Sequence, residues 1–217
     1  MEAFNGIQFD GRFHTEVVQG TYKLFTEVKF TATLIIEITD PDKFNTMFGG
    51  QLPVDIIKTD VSRAAEMTFT KMFAERIDRI SAMSAKEAED GDRLKQGQII
   101  VAAGGLQMRL EKDHRGYYIS SKPGEKVSGH CPSVDVLFES VAKNAGADAI
   151  GAILTGMGAD GAEGLLKMRR AGAYTIGQDE ETCVVYGMPC VAFKKGAVIT
   201  QLPLQKIAEH IISKAKK

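Results

Sequence analysis

The sequence has no tryptophan, only six prolines and three cysteines, and almost no excess of either charge. Lys and Arg total 27 against 28 Asp and Glu, a net charge of −1, so nothing draws the chain as a whole to nucleic acid or to an anionic lipid surface. Cys131, Cys183 and Cys190 are odd in number and lack CxxC spacing. They read as reduced thiols of a cytoplasmic protein, with no disulfide framework and no zinc knuckle. No apolar run approaches the roughly 18–20 residues of a membrane span. MEAFNGIQFDGRF lacks the basic start and apolar core of a secretory signal, so neither membrane insertion nor export is expected. What is present is ordinary globular material. Hydrophobic residues make up 44% and charged residues 25% of 217 positions, which suits one domain, or one with an appendage.

The chain changes texture near residue 68. Before it, EVVQGTYKLFTEVKFTATLIIEI, from Glu16 to Ile38, is rich in β-branched and aromatic residues and predicts two or three antiparallel strands, with Gly20 at a turn. Asp40 and Pro41 suit a helix N-cap and first turn, and PVDIIKTDVS a further short strand. After it, Phe69, Met72, Phe73, Arg76, Ile77 and Ile80 recur at three- and four-residue steps and predict an amphipathic helix. The stretch 97–122, with turns at Gly104-Gly105 and Arg115-Gly116, predicts a small β meander. SVDVLFESVAKN reads as a helix with Ser133 as its N-cap. AIGAILTG and AYTIGQ read as buried strands on either side of a helix ending at Gly172, and the C-terminus reads as a last helix. Strand, helix and strand in that order require a crossover, hence a parallel sheet. The division expected is 1–68, an atypical β-rich segment packed on the same domain, and 69–217, an α/β body.

The loop after the first buried strand, Gly156-Met157-Gly158-Ala159-Asp160-Gly161, carries the strongest local signal. In open parallel sheets, ligands and catalytic groups gather outside the carboxyl ends of strands. Gly156, Gly158 and Gly161 satisfy GxGxxG, and Asp179 lies 23 residues beyond Gly156, which is the spacing of a dinucleotide fingerprint. Asp160 opposes that reading, because it places an anion where a pyrophosphate should meet the helix N-terminus. It serves better as the orienting acid of a Ser–His–Asp arrangement, or as a plain cap of the helix that follows. His130 beside Cys131 has no second cluster with which to form a metal site, and no metal or cofactor is expected. Cys183 and Cys190 flank VVYGMP, an apolar run read as buried.

Over residues 69–212 the chain resembles the catalytic domain of the chemotaxis protein-glutamate methylesterase, CheB. The resemblance rests on FTKMFAERID at 69–78, KEAEDGDRLKQGQIIVAAGG at 86–105, GHCPSVDVLFESVAKNAG at 129–146, and the run from AIGAILTGMGADG through CVVYGMP at 149–189. It implies a doubly wound, mostly parallel α/β fold and a hydrolase of signal transduction. The reaction implied is methyl-ester hydrolysis on glutamates of a methylated chemoreceptor cytoplasmic domain, with glutamine deamidation in some members. The resemblance carries the triad acid to Asp160, with Met157 and Gly158 lining the same site.

The chain also departs from the family pattern. That family's nucleophile stands in a GxSTGG turn after its first strand, and here no serine precedes Ser62. Its histidine stands in a QHMP-like motif, where this chain has Ser62-Arg63-Ala64-Ala65-Glu66-Met67-Thr68 with Ala64 near the histidine's place. No histidine lies between His14 and His114, and the family's APG turn is Ala102-Ala103-Gly104. Thr15, Thr21 or Thr26 with His14 as base, or Ser62, could substitute in this segment, but His14 reads more simply as an exposed or strand-packed histidine and Ser62 as a helix cap. The expectation is therefore an esterase body with its acid in place and its serine and histidine motifs missing. The alternative is a non-catalytic receptor-binding or scaffold protein, or a chimera joined near residue 69. A receiver domain has no room in this length, so phosphorylation control within the chain is not expected.

Overall fold

The computed structural model describes residues 3–19, 22–37, 67 and 69–215, the first two segments as backbone pairing alone. The chain divides into two compact units, Met1–Ser62 and Arg63–Lys217. In the first, strands β1 (Ala3–Gln19) and β2 (Tyr22–Glu37) pair antiparallel, from Gln19 opposite Tyr22 back to Ala3 opposite Glu37, with an irregularity between Phe4 and Ile7. Two antiparallel strands agree with the β-branched texture, and the pairing reaches back through the N-terminal residues. His14 and Thr15 stand opposite Glu27 and Thr26 in this ladder. The Gly20 turn, the Asp40-Pro41 helix start, the 53–62 strand and Ser62 lie outside the described residues.

The second unit is of the α/β class, with helices and parallel strands. Helix α1 (69–80) leads to β3 (Ser84–Glu87), which pairs parallel with β4 (Gln98–Val101). Strands β5 (Gln107–Asp113) and β6 (Gly116–Lys122) form an antiparallel hairpin. Next come α2 (Val134–Asn144) and a 3-10 turn (Gly146–Asp148). The order then runs β7 (Ile150–Ile153), α3 (Ala162–Arg170), β8 (Tyr174–Gln178), α4 (Met188–Lys194), β9 (Thr200–Leu202) and α5 (Leu204–Ala215). Strands β7, β8 and β9 form one parallel sheet in that order, as the strand–helix–strand pattern required.

The predicted meander is corrected. Only β5 and β6 form a hairpin, while β4 takes β3 as a parallel partner. Alternation along a strand does not name its partner, and the short polar β3, SAKE, gave no apolar signal.

Two hydrophobic clusters organise the unit. Ile153, Leu165, Met168 and Val198 anchor one beneath α3, and Met108, Leu110 and Ile119 anchor the other beneath the β5–β6 hairpin. Val141 of α2 packs against both, so this helix joins them. Its polar side chains complete the join. Ser140 Oγ accepts the Leu110 N–H at 2.8 Å, and Asn144 Nδ2 donates to the Leu110 carbonyl at 2.8 Å. These bonds satisfy the backbone of a buried strand residue that has no further neighbour there.

Helix α1 forms where the 3.6-residue period places it, but its apolar stripe faces outward. Ala74 is the helix's one buried residue among those described, whereas Phe69 is 69% exposed, Met72 62% and Ile80 75%. Phe69 and Phe73 stack on each other, ring centroids 6.1 Å apart. Periodicity predicts a helix and one apolar face; it does not say what covers that face.

Candidate functional site

Asp160 lies at the end of the loop that follows β7, one residue before the N-cap of α3, and is 5% exposed. Its carboxylate does not cap the helix that follows. Oδ1 accepts from Ser133 Oγ at 2.7 Å and from the Asp135 N–H at 3.1 Å, and Oδ2 accepts from the Val134 N–H at 2.8 Å. Asp160 thus closes the N-terminus of α2, where free N–H groups and the helix dipole favour a carboxylate. Ser133 is the N-cap by position, as expected, but its hydroxyl donates to Asp160 and makes no cap bond of its own.

The arrangement is reciprocal. Asp135, in the first turn of α2 and 6% exposed, accepts the Gly164 N–H at 2.7 Å from the first turn of α3. Burial pushes the Asp135 carboxyl above its ordinary range, and the nearby Asp160 charge adds to the shift. Each helix start is therefore closed by an aspartate belonging to the other. A Cβ at Gly164 would come 2.7 Å from Phe138 Cβ and 2.9 Å from the Asp135 carbonyl oxygen. That close approach of α2 and α3, rather than a phosphate, requires the glycine.

The loop itself is locked to the segment before α4. Gly156 donates to the Val185 carbonyl at 3.1 Å and accepts the Met188 N–H at 2.8 Å. A Cβ on Gly187 would meet the Gly156 carbonyl oxygen at 2.6 Å, and one on Gly156 would meet the Met188 side chain, so these two glycines allow the segments to interlock. Gln178, fully buried, receives the Thr155 N–H at 2.8 Å and donates to the Thr182 carbonyl at 2.7 Å. Met157 and Gly158 form the tip of the loop. Met157 is 83% exposed, and Gly158 has a φ of 90° with open space where a Cβ would stand.

This geometry overturns the dinucleotide reading of Gly156–Gly161. Asp135 already occupies the α3 N-terminus, and Asp179 is engaged in its own turn, where Oδ1 accepts from Thr182 N and Oγ1. The VVYGMP run is also less buried than its composition suggested. Cys183 is buried, and burial pushes its thiol up, but Val184 and Val185 are about two-fifths exposed. Among the described residues no group of three His, Cys, Asp or Glu could hold a metal ion, and no helix is long and apolar enough to cross a membrane.

A second buried glutamine supports the approach to Asp160. Gln107, 1% exposed, donates through Nε2 to the carbonyls of Glu125 and His130 and accepts the Ser133 N–H at 2.9 Å. One side chain thereby fixes the loop that delivers Ser133 to the carboxylate. Ser133, Asp135 and Gln107 were not recognised as site residues from sequence. Their contacts to the site span 25 to 27 positions, and only the S-V-D start of a helix hinted at them.

The site is thus a parallel α/β body with a buried carboxylate, held by three donors, beyond the end of a strand. The chain belongs to the CheB methylesterase family, whose model matches residues 48–211. It is 57% identical over 143 residues to the protein-glutamate methylesterase/protein-glutamine glutaminase 2 of Syntrophomonas wolfei, covering 66% of this chain and 42% of that protein. It is 51% identical over 162 residues to the Agrobacterium fabrum protein-glutamate methylesterase/protein-glutamine glutaminase, covering 75% and 46%. Its structure is similar to the crystal structure of the Thermotoga maritima CheB methylesterase catalytic domain, with a TM-score of 0.65, 36% identity, and coverage of 67% of this chain and 77% of that one. The chain spans less than half the length of these curated relatives.

Proposed function

We propose that this chain acts in chemotaxis adaptation in the cytoplasm, on glutamyl methyl esters, and by the same chemistry glutaminyl amides, of a chemoreceptor's cytoplasmic domain. Asp160 is the orienting acid of that reaction, with Met157 and Gly158 at the rim where the substrate approaches. The observation that carries the reading is the Asp160 carboxylate, buried and aimed by three donors. The two oxygens are not equivalent. Oδ1 already takes two donors and Oδ2 one, so an imidazole N–H has its place at Oδ2. In such a reaction the acid holds the imidazole in the right tautomer and stabilises its charged form, while a hydroxyl attacks the ester carbonyl and methanol leaves. The test is methanol release from a methylated receptor fragment, with and without Asp160→Ala.

One observation favours a second reading: no serine precedes Ser62, and no histidine lies between His14 and His114. On that reading the body keeps the receptor-facing surface without turnover. Saturable capture of the receptor fragment with no methanol, at any concentration of the chain, would select it over the first.

A further inference from the structure

A cavity of about 240 Å³ opens between the start of α1 and the loop that leads into Ser133, lined by Phe69, Thr70, Lys126, His130 and Pro132 among others. It is smaller than the roughly 300–1,000 Å³ that encloses a whole small-molecule ligand, and suits a single long side chain. Its walls are fixed. Thr70 Oγ1 donates to Glu87 at 2.5 Å and accepts the Gly104 N–H at 3.1 Å, tying α1 to the end of β3 and the Gly104 turn. Gln107 holds the opposite loop through the Glu125 and His130 carbonyls. Within this frame the charge is one-sided. Among the described residues no carboxylate pairs with Lys126, and the His130 side chain makes no hydrogen bond. Of the nearby acids, Glu87 is engaged by Thr70, and Glu125 is not among the lining residues.

We propose that this cavity is a subsite for an acidic side chain of the substrate segment, seated beside the residue whose ester is cleaved. Lys126 and His130 meet the carboxylate, and Phe69 covers its methylenes. Its place next to the reaction rests on the methylesterase reading, because Pro132 of the cavity wall directly precedes the Ser133 that donates to Asp160. The subsite then selects esters lying among other acidic residues.

Two synthetic helical peptides test it, each with one glutamate γ-methyl ester, flanked in one by glutamates and in the other by glutamines. In fluorescence anisotropy with the full chain, the glutamate peptide binds about five- to tenfold tighter. Lys126→Glu abolishes or inverts that preference and His130→Ala narrows it. Both positions are exposed, so folding is spared, and Lys206→Glu, on the exposed surface of α5 and not among the lining residues, leaves the preference intact. Equal binding of the two peptides, or a preference that survives Lys126→Glu, overturns the subsite. Methanol release on the same peptides is scored separately. Charge preference without methanol upholds the subsite and sinks the hydrolytic reading, while methanol without charge preference does the reverse.

Discussion

The two ends of the α/β body differ in how they are held. From Ser133 to Leu202, helices α2 and α3 close each other's N-termini with Asp160 and Asp135, glycines interlock the loops, and Leu165 and Ile176 are fully buried. At α1 the helix forms, yet Phe69, Met72 and Ile80 stand largely in solvent. The first region is the one that carries Asp160, proposed above as the orienting acid. The second follows in sequence the stretch near Ala64 where the family pattern has its histidine. Among the described residues, the donors to Asp160 all come from the start of α2, Ser133, Val134 and Asp135. The family model matches from residue 48, upstream of the residue-69 boundary drawn from the motifs, so the chain keeps the family's pattern there while lacking its serine and histidine motifs.

Substitutions should separate the two regions sharply. Leu165→Ala should cost about 3–5 kcal/mol in urea unfolding, the loss for a buried leucine that leaves a cavity. A cost below about 1 kcal/mol would mean that α3 is not packed as described. Asp160→Ala comes next, at about 2–4 kcal/mol, because it strands the Ser133 hydroxyl and two N–H groups at the start of α2. Amide exchange should quicken first at Val134 and Asp135, and unchanged protection there would refute the cap. Phe73→Ala, on the exposed stripe of α1, should shift the midpoint by no more than about 1 kcal/mol. A loss as large as that of Leu165→Ala would erase the contrast between the regions.

The smallest effect is one of pH. Arg93 binds Asp113 through two parallel bonds of 2.5 and 2.7 Å, and its guanidinium holds that carboxyl well below the usual carboxylate range. A depressed folded pKa stabilises above the unfolded value, about 4, and its contribution is lost as pH falls through the folded one. Arg93→Ala should therefore lower stability modestly near pH 7, where the pair's contribution is fully present, and the two proteins should converge as pH falls, which flattens the acid limb of the variant's curve. An unaltered acid limb would show that the pair contributes nothing there.

How much of this was legible in the sequence follows from range. Helices α2, α3 and α5, the strands around α3 and the turn at Gly172 announce themselves within a few residues, through period, caps and glycine. Asp160 was legible for the same reason, being set in a distinctive loop, and the resemblance supplied the role proposed for it. What it binds was not legible. The partners of its carboxylate lie 25 to 27 residues upstream, and a serine at a helix start gives no sign that it will donate rather than accept. The partner of β4 was hidden too, since a four-residue polar strand carries no alternation to read. GxGxxG misled because glycine spacing reports backbone constraint of any origin: Gly156 and Gly161 are approached by Met188 and Val134, and Gly158 faces open space at a φ of 90°.

Methanol release from a methylated receptor cytoplasmic fragment, compared between the unaltered chain and Asp160→Ala at matched folded fraction, tests the central claim most directly. A triad acid predicts release that falls by about two orders of magnitude or more in the variant. Release at the same rate from both proteins would contradict it and leave Asp160 as a helix cap alone.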